Sequence, residues 1–339
     1  MTRARLALAL ALAMPSAAHA GGPRVRLTHL DASSCASEGI IRVGASSIEL
    51  EGALAPTEPS RYRLVLDGTL LAAPPRASAT LDASALPLRL AIVAQGSAAI
   101  EHASSALNRA GEALLGGLPG RARVDVLTFA AELTPRAQAA PVGEALAAWA
   151  GFVPDDRATV RTLDAVGAAL TGLAEPPGPR RRVLVLIGDG RDGDLERDKV
   201  RALAARARAL GVSISPIAYS RTQALAPEDR EPFLGLGELA KQTGGTLRWA
   251  RTADALAARA QELADELRAE AMLEFEVPDR CEVAHRVQLD RGGARSNALE
   301  VPKAEGGVSA GLIAGGVGVL MLGVGAALVA LRRRPRLTR

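Results

Sequence analysis

Arg182-Val183-Leu184-Val185-Leu186-Ile187-Gly188-Asp189-Gly190 is the stretch that decides the fold. Val183 to Ile187 are aliphatic without a break. A strand with one wet face alternates apolar and polar residues. An unbroken aliphatic run of this length is buried on both faces, as in a parallel sheet covered by helices on each side. The run stops at Gly-Asp-Gly, a turn-forming sequence.

The neighbouring segments agree with this reading. Leu88 to Ala94 is a second mostly buried strand, Val124 to Phe129 a third, and Val212 to Ile217 a fourth. Helical patterns alternate with them. Ile100, Ala103, Leu107, Ala110 and Leu114 recur at spacings of three and four. Further helices are expected at Leu163–Leu173, Lys199–Leu210 and Leu234–Gln242, the last stopping at Gly244-Gly245. Thr246 to Trp249 is expected as a last short strand, followed by a helix striped by Leu256, Ala260, Leu263 and Leu267. Strand and helix in alternation predict an α/β unit, a doubly wound and mostly parallel sheet, over residues 87–270.

The flanks have a different period. In residues 21–86, short alternating runs such as Ile48-Glu49-Leu50-Glu51 and Tyr62-Arg63-Leu64-Val65-Leu66 are separated by Gly, Pro, Ser and Asp. Asp67-Gly68 is a good hairpin turn. Residues 271–302 return to the same pattern, with Leu273–Val277, Val283–Leu289 and Ala298–Val301 as expected strands. Either the two flanks build one small β-sandwich into which the α/β unit is inserted, or they are two unrelated small elements. Cys35 and Cys281, the two cysteines, lie one in each flank. Outside the cytoplasm such a pair is more often bridged than free, so a disulfide is expected.

The ends of the chain supply that compartment. Residues 1–20 have a charged start, an apolar run from Leu6 to Met14, and small residues at Ala18 and Ala20, which is a secretory signal pattern. After a linker at 303–306, residues 307–331 carry no charge and are long enough to span a bilayer as a helix. The tail at 332–339 holds Arg332, Arg333, Arg334, Arg336 and Arg339, and arginines beside a span stay cytoplasmic. The expectation is a single-pass membrane protein with its N-terminal side outside the cytoplasm. The scarcity of aromatic residues, 2% of the chain, and the preference for Arg over Lys fit a high-GC bacterial genome. The ectodomain would then lie in the periplasm. Gly307, Gly311 and Gly315 form a small-residue stripe through which spans could self-associate.

The chain has 41 basic and 37 acidic side chains, a net charge of +4. Two arginines belong to the signal and five to the tail, so the ectodomain is slightly acidic. No basic field is left for nucleic acid.

The α/β region resembles a von Willebrand factor type A domain over about residues 87–270. The features that carry the resemblance are ordered. They are the strand Leu88–Ala94 running into Gln95-Gly96-Ser97-Ala98-Ala99, the strand ending at Phe129, and Arg182 to Gly190. Leu236-Gly237-Glu238-Leu239-Ala240 leading to Thr243-Gly244-Gly245 closes the series. In that family a metal site uses Asp-x-Ser-x-Ser after the first strand, a loop Thr, and the Asp of Thr-Asp-Gly. Here the first motif is broken in either register. If Ala94 takes the Asp position, the serines become Gly96 and Ala98; if Gln95 takes it, they become Ser97 and Ala99. Gly188 stands for the Thr before Asp189, and Thr159 or Thr162 stands for the loop Thr. Ser97, Thr159 and Asp189 are thus degenerate metal candidates, too few hard oxygen ligands for Mg²⁺. The expectation is no cofactor and no metal-dependent adhesion.

The resemblance implies a binding module. Ligands of doubly wound sheets bind at the carboxyl ends of the strands. The loops 95–99, 154–162 and 188–194 are therefore the expected partner face, with Gln95, Gly96, Ser97, Gly188, Asp189 and Gly190 at its centre and a protein as partner. A structural or assembly subunit of a membrane complex, held by its helix, and an enzyme are the competing classes. His29, His102 and His285 stand in no catalytic motif, and no phosphate loop, zinc motif or nucleophile elbow is present.

Overall fold

The computed structural model describes residues 24–49, 54–55, 58–130, 132–150, 152–154, 161–175, 180–190, 196–220, 227–301 and 303. The side chains of 99 and 227–232 are not described. The expected signal, membrane span, arginine tail and glycine stripe lie outside the described residues. Among the described residues no helix is long and apolar enough to cross a membrane.

The chain opens with β1 (Arg24–Asp31), the short α1 (Cys35–Glu38), β2 (Ile40–Ile48), β3 (Arg63–Leu66), β4 (Thr69–Leu70) and β5 (Ala77–Thr80). Asp67 and Gly68 both have positive φ, as a tight hairpin turn between β3 and β4 requires. The α/β unit follows with β6 (Leu88–Gln95), α2 (Ser104–Gly116), β7 (Arg123–Phe129), β8 (Leu133–Pro141), α3 (Val142–Trp149), α4 (Thr162–Ala174) and β9 (Arg181–Gly188). It continues with α5 (Arg197–Ala209), β10 (Val212–Tyr219), α6 (Pro227–Thr243), β11 (Arg248–Ala250) and α7 (Ala253–Ala269). The chain then returns to β12 (Ala271–Glu276), β13 (His285–Arg291), β14 (Ala294–Arg295) and β15 (Leu299–Val301).

The α/β sheet has the order β11-β10-β9-β6-β7-β8. All neighbours are parallel except β7 and β8. The aliphatic run of β9 is explained by its two faces. Val183, Val185 and Ile187 belong to the core that α2, α3 and α7 help to form, whereas Leu184 and Leu186 belong to the one that α4, α5 and α6 help to form. Successive residues therefore enter opposite cores, and Val183 to Ile187 are all apolar.

Several local features differ from the sequence expectation. The antiparallel β8 and the following α3 were not foreseen, because Leu133 to Pro141 is an exposed edge strand of Ala, Pro and polar residues with no alternation. Its register against β7 shifts twice, and Pro135 lies within it, which suits a strand bonded on one side only. The helix expected from Ile100 begins with a 3-10 turn at Ala98–Ala103 before α2. α6 starts at Pro227 rather than Leu234, and the last strand of the sheet is Arg248–Ala250 rather than Thr246–Trp249.

The flanking strands interleave. One sheet has the order β1-β2-β12-β5 and the other β14-β13-β3-β4, with β15 also on β13. β12 pairs with β2 and β5, and β13 pairs with β3, so each sheet mixes both flanks. Between the sheets, Leu27, Ile41, Val43, Tyr62, Leu64, Leu273, Phe275, Val287 and Leu289 form one buried core. Of the two arrangements open from the sequence, the flanks adopt the single sandwich. A disulfide joins Cys35 and Cys281 across it.

The two units meet at the amino end of the parallel sheet. Arg181, at the start of β9, donates from Nε to Glu270 Oε2 (2.8 Å) and from Nη1 to Ser213 Oγ (2.6 Å). The Thr28 hydroxyl of β1 donates to the other oxygen of Glu270. Glu266 of α7 pairs with Arg26 of β1 and Arg248 of β11.

Candidate functional site

The partner-face residues meet at the carboxyl end of β6 and β9, adjacent parallel strands. Gln95 is the last residue of β6 and is fully buried. Its Oε1 accepts from the Asp189 backbone N–H (2.7 Å), and its Nε2 donates to Ser97 Oγ (2.8 Å). The Asp189 N–H can only donate, which fixes the orientation of the amide. Gly96 donates its N–H to the Phe129 carbonyl at the end of β7 (2.6 Å). Gly96, Ser97, Gly188 and Gly190 are buried, and Asp189 is partly exposed. A Cβ on Gly188 would lie 2.6 Å from Gln95 Oε1 and 3.0 Å from Gln95 Cβ. Thr162 is the first residue of α4, and its buried hydroxyl has no partner among the described residues. Thr159 lies outside them.

This donor set does not suit Mg²⁺. The cation takes oxygen ligands in near-octahedral geometry. Of the Gln95 amide, the nitrogen is a donor and the oxygen already accepts an N–H. Asp189 is then the single carboxylate among the motif residues, and among the described residues no group of three His, Cys, Asp or Glu could hold a metal.

Two histidine environments escaped the sequence reading. His285 has Nδ1 2.8 Å from Asp67 Oδ2 and Nε2 2.8 Å from Asp279 Oδ2. Asp67 lies 218 residues away, which is why no motif showed it. With a carboxylate on each nitrogen, the ring is a clamp between two turns of the sandwich and has no nitrogen left to act as a base. Burial works against its charge, but the bonds to Asp67 and Asp279 outweigh this and raise its pKa.

His29 is the opposite case. It lines a cavity of about 350 Å³ at the junction of the two units, with Asp31, Arg182, Thr243 and the disulfide. Neither ring nitrogen has a partner in good hydrogen-bond geometry among the described residues. Burial, then the charges of Arg181 and Arg182, push its pKa well below 6.5, although the nearby Gly211 backbone pulls weakly the other way.

The two histidines oppose each other in pH. His29 is neutral when folded and titrates normally when unfolded. Its contribution is present above about pH 6.5 and is lost as the pH falls. His285 holds its proton more tightly when folded. Its contribution is full below about pH 6.5 and is lost as the pH rises through the raised folded value. Urea midpoints are therefore expected to be highest near neutrality. His29→Leu should flatten the acid limb and His285→Gln the alkaline limb, and unchanged limbs would refute the assignment.

No protein-family model matches the chain, and no curated protein matches it in sequence. Solved structures resemble it in fold alone. Proximal thread matrix protein 1 from the mussel byssus aligns over 59% of this chain and 50% of its own, at 15% identity and a TM-score of 0.47. This chain therefore spans about half the length of that protein. The conserved hypothetical protein BatB from Bacteroides thetaiotaomicron aligns over 53% of this chain and 98% of its own, at 15% identity and a TM-score of 0.40. A von Willebrand factor type A protein from Catenulispora acidiphila aligns over 84% and 75%, at 11% identity and a TM-score of 0.46. On its strand order, with one antiparallel edge, and on the ordered sequence features of β6, β7, β9 and α6, the α/β unit is a von Willebrand factor type A-like fold.

Proposed function

We propose that this chain is a membrane-held protein-interaction module whose partner docks, without a metal ion, on the loops at the carboxyl end of the parallel sheet. The single observation that carries the reading is the Gln95–Ser97–Asp189 cluster. It lies where doubly wound sheets bind ligands, and it is built from hydrogen bonds rather than carboxylates. The membrane assignment rests on the sequence of residues 1–20 and 307–339. A non-enzymatic role is supported by two of the histidines, since the His29 side chain is buried in the junction and both nitrogens of His285 face carboxylates.

The test is crosslinking of the full-length protein in its membrane, followed by capture. Val153, 76% exposed beside Phe152, and Asp189 lie on the proposed face. Phe152 itself packs on Gly96. Val153→Asp and Asp189→Arg are expected to abolish the specific adduct. Leu70→Asp and Val283→Asp, exposed on the sandwich, should leave it intact. The reverse pattern would place the partner on the sandwich. Calorimetry with Mg²⁺ should show no binding tighter than about 1 mM. Tighter binding that Asp189→Ala abolishes would overturn metal independence.

A further inference from the structure

We propose that the Gln95 carboxamide does the structural work of a bound cation, as a fixed internal tie between the loop after β6 and the loop after β9, and that Gly188 is present to admit it. The face is then set permanently, and divalent ions outside the cytoplasm do not switch it. This deepens the proposed binding face, but the tie belongs to the loops whether or not they bind a partner.

The argument begins with register. β6 and β9 are parallel neighbours, and Ala94 pairs with Ile187, so Gln95 and Gly188 follow side by side at the end of the ladder. The amide then uses its two ends with opposite polarity. It accepts from the Asp189 N–H and donates to Ser97 Oγ. A carboxylate at this position could accept but not donate, and it would place a second negative charge near Asp189. An apolar residue would leave the Asp189 N–H without this acceptor. An amide is the chemistry that ties both loops with no ion present.

The space for that amide comes from its neighbour. With the Gly188 Cβ position 2.6 Å from Gln95 Oε1, an alanine there would have to displace the buried amide, and a threonine more so. Gln95 and Gly188 are thus two halves of one change, and neither reads correctly alone. The Gly96 N–H bonded to the Phe129 carbonyl anchors the same loop to β7. The loop after β6 is consequently fastened to the strand ends on both sides.

The experiment is hydrogen exchange at the Asp189 amide in the purified full-length protein, with EDTA or with about 10 mM MgCl₂, a concentration above the millimolar constants of weak extracellular sites. Wild type is expected to exchange at the same slow rate in both. Gln95→Met, of similar length but unable to make either bond, should exchange at least about tenfold faster at Asp189 in both conditions. Gln95→Glu should become cation-responsive, melting at a higher temperature with Mg²⁺ than with EDTA. Gly188→Ala should destabilise wild type far more than it destabilises Gln95→Ala. Mg²⁺-dependent protection in wild type, an unchanged Asp189 rate in Gln95→Met, or additive effects of Gly188→Ala and Gln95→Ala would each overturn the tie. None of these readings depends on the partner.

Discussion

Glu270→Ala is expected to destabilise the protein by about 3–5 kcal/mol, because it strands a buried positive charge. Glu270 follows the last turn of α7, where the chain leaves the α/β unit for β12. It is 1% exposed, and Arg181 is 2% exposed. Its carboxylate takes the Arg181 Nε–H at 2.8 Å on one oxygen and the Thr28 hydroxyl on the other. Arg181 is otherwise held by Ser213 Oγ at 2.6 Å, by the Arg182 carbonyl at 2.9 Å and by the Thr28 carbonyl at 3.4 Å, none of which carries charge. The packing around the carboxylate leaves no slack, since a Cβ on Gly44 would collide with it. Alanine therefore leaves a guanidinium in low dielectric with neutral partners only. Removing both charges is a different matter: Arg181→Met with Glu270→Leu should lie much nearer wild type, since desolvating the pair offsets most of its attraction. Urea midpoints of the two variants decide this, and a loss below about 1 kcal/mol for Glu270→Ala would refute it. The neighbouring cluster shows the same cost of burial. Desolvation pulls the Arg26 and Arg248 guanidiniums down to about 10.

What the sequence revealed and what it hid follow from the range of the interactions. β9 and β6 were legible because burial on both faces of a parallel strand leaves an unbroken aliphatic run that needs no partner to be recognised, and α2 because its apolar residues recur at spacings of three and four. β8 was not, because an exposed edge strand is specified by what β7 offers it and not by its own pattern. The sandwich was legible as strands but not as a pairing. β2 meets β12, and β3 meets β13, across the whole α/β unit, and no local signal fixes such a register. His285 looked isolated in sequence for the same reason, as one of its carboxylates arrives from the β3–β4 turn. The partner-face motif is legible as a departure: Gly188, and Gln95 in one of the two registers, each stand in place of a ligand. The signal that could have joined them was their coincidence. In the register that starts at Gln95, an amide appears where the resemblance puts a carboxylate, and a glycine appears where it puts a threonine.

Breaking the disulfide should be the second large effect, and it should be felt unevenly. Cys35 follows β1 and Cys281 follows β12, at a sequence separation of 246. For a loop of that length the chain-entropy model gives about 5 kcal/mol as an upper figure, and about 2–4 kcal/mol is the usual yield. The lower range is expected here, because the loop encloses an α/β unit that holds its own ends close through β9, α7 and Glu270. The bridge acts instead where the first and last strands of the sandwich must find each other. Arg280 and Cys281 both sit at positive φ, an unfavourable turn that the bridge helps to hold closed. Cys35→Ala with Cys281→Ala should therefore loosen the sandwich first. The chain offers a separate reporter for each unit. Its two tryptophans, Trp149 and Trp249, are both in the α/β unit, while Tyr62 is buried in the sandwich. Hydrogen exchange in β2 and β13 should accelerate strongly in the double variant, and the tryptophan fluorescence midpoint should move less. Equal shifts in both reporters would mean that the two units unfold as one. No shift in either, with loss of the bridge verified by mass, would mean that the junction network alone holds the sandwich closed.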